Sequence, residues 1–405
     1  MGEPRRTWFG LLALALAAAC ARSPADEGEG PGTLSPTGVL SGADTSGYAR
    51  AELPRAFVFP ADHGAHPDFR SEWWYFTGQL IVEAPDGGAE DGRRFGYQFT
   101  IFRQALATSA PARGSAWGTR QAYLGHLALT DVAGRRFFAF ERTARGGLGL
   151  AGAQAAPFHV WVEDWDLAER PLTPMQTPAR TPTHALLHAR VLPAAGAATP
   201  PVTLDLEIDL AAGRGPILQG ERGLSRKGPE PGNASYYYSF TRVPTSGRIA
   251  VGESSFAVRG ESWLDREWST SALGPELGGW DWLSLSLSDG RDLMVYRLRR
   301  KDGSAAPDSR ATIIAEDGST RLLPPEAYRF ASTGTWTSAA GARYPAGFRL
   351  EIPGERLTLD VTALLPDQEL RLGFRYWEGA VTARGRLGAA ALTGHGYLEL
   401  TGYAR

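Results

Sequence analysis

Glu72–Leu80 reads EWWYFTGQL, and Phe95–Arg103 follows it with FGYQFTIFR. In an extended chain Glu72, Trp74 and Phe76 fall on one side and Trp73, Tyr75 and Thr77 on the other. Aromatic and β-branched enrichment over such short runs is a strand signal, and Asp-Gly pairs at 86–87 and 91–92 between them supply hairpin turns. Both sides of the first run are aromatic, so alternation alone does not say which side faces inward.

The same texture extends outward. Tyr123–Thr130, Val202–Leu210, Ser235–Thr241, Trp282–Leu287 and Leu293–Leu298 are further strand signals, with Asp-Gly turns at 289–290, 302–303 and 317–318. No segment sustains a 3.6-residue apolar period. The chain has 405 residues, with 49 Gly and 28 Pro punctuating runs rich in its 12 Trp, and the expected class is all-β and antiparallel. A net charge of −2, from 42 basic and 44 acidic residues with no basic run, gives no electrostatic basis for nucleic-acid binding.

The sequence repeats itself. Tyr238, Val243 and Gly247-Arg248 fall on Tyr376, Val381 and Gly385-Arg386 at a single offset of 138, and after a gap Gly260–Asp265 falls on Gly394–Glu399. Trp73-Trp74 and the pair Trp280, Trp282 each precede a hairpin. This predicts two tandem antiparallel β-barrels, 51–270 and 271–405, the first enlarged by insertions such as 142–200. A closed barrel has no free edges and an interior able to hold one small apolar ligand.

The N-terminus has its own logic. Arg5-Arg6 precede the apolar run Trp8–Ala19, too short to span a hydrocarbon core of about 30 Å as a helix. Residues 1–19 read as a signal peptide, and Cys20, the single cysteine, stands where a bacterial lipobox places the lipidated residue. Leu16 sits one place early, with Ala17 at the −3 position; ordinary cleavage nearby and a twin-arginine signal are the other readings. Residues 20–50 are rich in Gly, Ser, Pro and acids and read as a disordered tether. The expectation is an exported protein anchored through lipid on the periplasmic side of the envelope, at the outer membrane more than the inner.

Phe59–Gly78 (FPADHGAHPDFRSEWWYFTG), GYQFTIFR, AYLGHLALTD, GLSRKGPEPGNASYYYSFTRVPTSGRI and GESWLDREWS together resemble the AttH/CrtC family, from Ala51 to the C-terminus. The resemblance implies two lipocalin-like barrels and an apolar ligand. The family includes carotenoid 1,2-hydratases and secreted proteins described only as hydrolases, and its members often accompany transport systems, which implies a transport partner. The catalytic segment of the hydratases is matched here by Trp263-Leu264-Asp265, with Trp263 where they have Tyr and Leu264 where they have His. Their second, upstream aromatic corresponds to Tyr238.

In a strand Glu261, Trp263 and Asp265 share one face and Ser262 and Leu264 the other. Inside an apolar barrel, desolvation would keep Asp265 protonated near neutrality and able to donate to an alkene, with Trp263 and Tyr238 stabilising the cation. The alternative is a charged turn, Asp265-Arg266-Glu267, with Asp265 paired to an arginine. Glu72, Trp74, His126 and Glu261 are candidate ligand contacts, His126 being either a pocket group or a satisfied core histidine. His63 and His66 lie in a loop expected to fold over the barrel mouth. They lack the third ligand and the framework a zinc site requires, so no metal is expected. No GxSxG elbow and no dinucleotide fingerprint is present, and no cofactor is expected. Two functions stay open: a tethered carrier of a lipid, polyene or isoprenoid-like molecule, and a hydratase, isomerase or cyclase using Asp265 as general acid.

Overall fold

The computed structural model describes residues 45–84, 89–109, 115, 118–170, 184–193, 196–270 and 273–404. Cys20, the segments read from the sequence as signal peptide and tether up to residue 44, and the pair Asp86-Gly87 read as a turn lie outside the described residues. The β-rich texture becomes strands throughout. The first group is β1 (Ser71–Glu83), β2 (Ala89–Ala105), β3 (Gln121–Asp131), β4 (Arg136–Arg145), β5 (Ala151–Ala155), β6 (Phe158–Val162), β7 (Trp165–Glu169), β8 (Ala185–Val191), β9 (Val202–Ile208), β10 (Ile217–Leu218), β11 (Leu224–Arg226), β12 (Ala234–Val251) and β13 (Ser254–Ser269). The second is β14 (Leu277–Leu287), β15 (Asp292–Arg300), β16 (Arg310–Ile314), β17 (Thr320–Leu323), β18 (Arg329–Ser332), β19 (Thr335–Thr337), β20 (Arg343–Pro345), β21 (Gly347–Ile352), β22 (Leu357–Ala363), β23 (Glu369–Arg371), β24 (Arg375–Leu387) and β25 (Ala390–Leu400). Asp289-Gly290 and Asp317-Gly318 make hairpin turns, each with its glycine at positive φ, whereas Asp91-Gly92 falls within β2.

The first sheet runs β4-β3-β2-β1-β13-β12-β9-β8-β7-β6-β5, with β10 and β11 on β12. The second runs β17-β16-β15-β14-β25-β24-β22-β21-β18, with β23 on β24, and β19–β20 form a separate hairpin. In each the opening hairpin lies beside the closing one: β1 pairs with β13, and β14 with β25. The sheets curl into lipocalin-like barrels but stop short of closure, because the terminal strands β4 and β5, and β17 and β18, end the pairing. The first comes near to closing. Val162 of β6 and Trp165 of β7 stand where a Cβ on Gly125 of β3 would be.

Both interiors are packed. Trp74, Phe76, Phe99, Trp165, Tyr238 and Trp268 share the first core, and Leu285, Phe348, Leu359, Trp377 and Leu398 are among those filling the second. Burying each large apolar side chain contributes about 1.5–3 kcal/mol. Side chains occupy the space inside each barrel.

The barrels dock through the other faces of the same strands. Gln79 donates to the carbonyls of Val381 (2.6 Å) and Gly396 (2.7 Å), and Thr130 donates to Gln368 at 2.6 Å. At Gly96 an added Cβ would stand 2.5 Å from the Ala380 Cβ, so the approach of the two sheets requires glycine there. Gly96→Ala is expected to lower the midpoint of urea unfolding, since overpacking costs about 1–3 kcal/mol. Gly354→Ala, at a position with nothing within 4 Å, is expected to stay within about 0.5 kcal/mol of the parent.

Candidate active site between the two barrels

The pleat of three neighbouring strands sorts the aromatic residues. On β1, Trp74 and Phe76 enter the first barrel while Tyr75 joins a second apolar cluster at the seam, with Trp73 packed against it. On β12, Tyr236, Tyr238 and Phe240 point inward and Tyr237 to the seam; on β13, Leu264 and Trp268 point inward and Trp263 to the seam. The second repeat presents Trp282, Tyr296 and Tyr397 to the same region. Between the repeats lies a cavity of about 320 Å³, the low end of the range for small-molecule sites. Its wall includes Trp73, Tyr75, Tyr237, Trp282, Tyr296 and Tyr376, with Asp265, Glu267, Glu378, Glu399 and Lys227 among them.

Asp265 is buried and receives three donated hydrogen bonds: from Tyr237 to Oδ2 at 2.5 Å, and from Ser239 (2.6 Å) and the Trp263 indole (2.7 Å) to Oδ1. Trp282 of the second repeat donates to Tyr237 Oη at 3.1 Å. Burial is the largest influence on Asp265 and, with the nearby Glu267 charge, outweighs the three donors, pushing the carboxyl up to about 7. Glu267 pairs with Lys227 at 3.0 Å and accepts a hydrogen bond from Ser235, so this second carboxylate is matched to a cation. The Lys227 ammonium also sits 4.6 Å from the Tyr296 ring centre. Asp265 has no such partner. It is a group divided between acid and carboxylate near neutral pH, set among aromatic faces.

The AttH-like pattern matches residues 50–403. This chain belongs to the AttH-like family. The structure of an AttH protein from Nitrosomonas europaea is similar to it at 36% identity and a TM-score of 0.72, covering 88% of this chain and all (100%) of that one. Kievitone hydratase from Nectria haematococca shares the fold at 15% identity and a TM-score of 0.60, over 88% of this chain and 98% of that one. CghA does so at 13% and 0.51, over 90% and 98%. No curated protein matches the sequence.

Within this AttH-like chain the structure brings Asp265 and Trp263 together at the seam and places His126 on the cavity wall. His126 Nδ1 lies 2.7 Å from Tyr376 Oη and Nε2 3.1 Å from Glu141, tying β3 to β24. Tyr238 is elsewhere. It faces the first barrel, with its hydroxyl 2.7 Å from His63 Nδ1, and the phenol that reaches Asp265 is Tyr237. The correction has a local cause. A bulge between Phe240 and Val243, with Arg242 at φ 50, inserts one residue into β12 and inverts its alternation upstream. Register makes the equivalence explicit: Ser239 pairs with Asp265 and Glu378 with Glu399, so Tyr237 corresponds to Tyr376 and Tyr238 to Trp377.

Three other candidates serve different ends. Glu72 is fully buried in ion pairs with Arg103 and Arg266 and accepts hydrogen bonds from the His66 backbone, and the two guanidinium groups hold its carboxyl well below the usual range against the cost of burial. Trp74 lies under the Arg266 guanidinium at 4.0 Å and donates to the His63 carbonyl. Both therefore fasten the His63–His66 loop to the first barrel, and Glu72, unlike Trp74, also lines the seam cavity. Glu261, though on the Asp265 face, lies away from the main cavity, 3.2 Å from His395 and 3.8 Å from Arg242. Reading the residues one by one missed Tyr237, Lys227, Glu378 and Glu399. The available signal was the repeat itself, which sets Glu399 against Asp265. Tyr237→Phe, by removing one donor to the carboxylate, is expected to raise the Asp265 titration by about one pH unit, while Tyr238→Phe leaves it in place. The carboxyl C=O band in infrared difference spectra, assigned with Asp265→Asn, measures both.

Proposed function

We propose that this AttH-like chain binds an apolar, unsaturated small molecule, such as a polyene or isoprenoid, in the seam cavity, and that Asp265 transfers a proton to it. The observation behind this reading is the Asp265 carboxyl, buried, held in place by three hydrogen bonds and pushed up to about 7 beside aromatic faces. The protonated carboxyl gives its proton to one alkene carbon, and the cation forms at the other. Ring faces of Tyr237 and Trp282, which line the cavity, stabilise it, at about 0.5–2 kcal/mol each. Water then adds to the cation and its proton returns to the Asp265 carboxylate, which completes a hydration; loss of a neighbouring proton to the same carboxylate completes an isomerisation. One of the structures sharing this fold is a hydratase by name, which agrees with that chemistry.

A second reading is a carrier that holds the same ligand without converting it. The largely aromatic cavity wall favours it, since such a wall retains an apolar molecule whatever Asp265 does. Export and a lipid anchor at Cys20 complete either reading, because an apolar ligand is met at a membrane. A transport system is the partner the family suggests.

One experiment separates the two. Asp265→Asn is expected to bind N-phenyl-1-naphthylamine within about threefold of wild type. It should lower solvent-deuterium incorporation into a bound polyene by at least about 100-fold, with wild-type turnover falling as pH rises above about 7. If neither protein incorporates deuterium into any polyene it binds, the carrier reading stands alone. Cys20→Ser is expected to move the protein from the membrane fraction to the soluble periplasmic fraction on cell fractionation; unchanged membrane association would remove the anchor from the proposal.

A further inference from the structure

The second repeat places two carboxyls where the first has one. Glu378 and Glu399 stand directly opposite each other on β24 and β25, and both line the seam cavity. Side chains so paired on one face of an antiparallel sheet have Cβ atoms about 4.5–5.5 Å apart. Glu399 occupies the register position of Asp265, and Glu378 that of Ser239. The substitution matters chemically: the hydroxyl that donates to Asp265 is replaced, across the seam, by another acid.

The donors are correspondingly few. Tyr75 donates to Glu378 Oε2 at 2.8 Å, and Trp280 is the side-chain donor to Glu399. Neither carboxyl forms an ion pair among the described residues, whereas Glu267 has Lys227 and Glu72 has two arginines. Other charged and titratable groups facing the pair are Asp265 and Glu267 from β13, Lys227 after β11, and Tyr397 on β25. Resting on the reading that the seam cavity is the binding site, we infer that the ligand bears a carbonyl oxygen, and that Glu378 and Glu399 hold that oxygen by donating hydrogen bonds to it from neutral carboxyl groups, across the cavity from Asp265.

Burial and mutual repulsion support the neutral state. Burial first, then the charge of its partner, drives Glu378 well above the carboxylate range, and burial pushes Glu399 up to about 8. A neutral carboxyl carries an O–H that a hydrocarbon ligand would leave unmatched. A conjugated carbonyl accepts it, and two neutral donors on one oxygen hold the ligand in a fixed orientation. The pair transfers no group; the proton that moves belongs to Asp265.

The test uses the full chain and two fluorescent probes, the aryl ketone Prodan and the carbonyl-free N-phenyl-1-naphthylamine. In wild type the C=O stretch of bound Prodan is expected to lie below its value in cyclohexane. The double variant Glu378→Leu/Glu399→Leu should lose that shift and bind Prodan about tenfold more weakly, while binding N-phenyl-1-naphthylamine within about twofold. Glu378→Gln/Glu399→Gln, whose amides still donate, should retain the shift. Raising the pH from 7 to about 10 should weaken Prodan in wild type and not in the Gln variant. An unshifted carbonyl, or equal Prodan affinity in wild type and the Leu variant, overturns the inference while carbonyl-free binding leaves the cavity reading standing. Failure of both probes to bind wild type overturns the cavity reading and the inference with it.

Discussion

Trp74–Leu80 of β1, Ala234–Thr241 of β12 and Ser262–Ser269 of β13 are buried on both faces, and the rest of the molecule is arranged around that constraint. A strand with water on one side can place any polar residue there; these strands cannot. Every polar group on them must find a partner within the protein, at a cost of about 1–3 kcal/mol for each one left unmatched. Toward the first barrel the charges are matched: Glu72 lies between two guanidinium groups, and Trp74 and Trp268 pack against Arg266. Toward the seam the balance differs. Asp265, Glu267, Glu378 and Glu399 share that part of the wall with Lys227, while Glu72, also on the wall, is matched by its arginines, and the space between the repeats stays hollow. The first face holds the barrel together, and the second holds acids in a state water would not allow.

The two repeats share a frame and diverge in chemistry. Asp265 and Glu399 occupy the same register position, yet one receives donors from Ser239, Tyr237 and Trp263 and the other faces Glu378. Burial raises both groups; three donors oppose that rise at Asp265, and the Trp280 side chain and the Lys227 charge oppose it at Glu399. Trp263 is informative here. Where the carotenoid hydratases resembled by this chain have a tyrosine, the indole N–H still donates to the aspartate. The replacement keeps the hydrogen bond.

Much of the fold was readable from residue order. Aromatic alternation and Asp-Gly turns located the strands, the internal repeat predicted two barrels, and the long motifs from Phe59 to Gly78 and around Trp263 to Asp265 pointed to the family. Alternation also put Trp263 and Asp265 on one face, because period two needs only an unbroken strand. Tyr238 was misassigned because the strand is broken by one residue at Arg242, and a bulge leaves no mark on composition. Trp74 looked like a ligand contact but enters the first core, while its neighbour Glu72 reaches the cavity wall already paired to two arginines.

By itself, then, the sequence determined an antiparallel, duplicated β architecture, its family and one acid within it, since these follow from local period and from residues close in the chain. Only the tertiary structure decided that the hollow lies between the barrels, that Tyr237 is the phenol on Asp265, and that Glu378 and Glu399 face the same space. Each depends on which face of a two-sided strand meets which other sheet. That choice is made by packing between segments hundreds of residues apart, where one inserted residue exchanges the two faces.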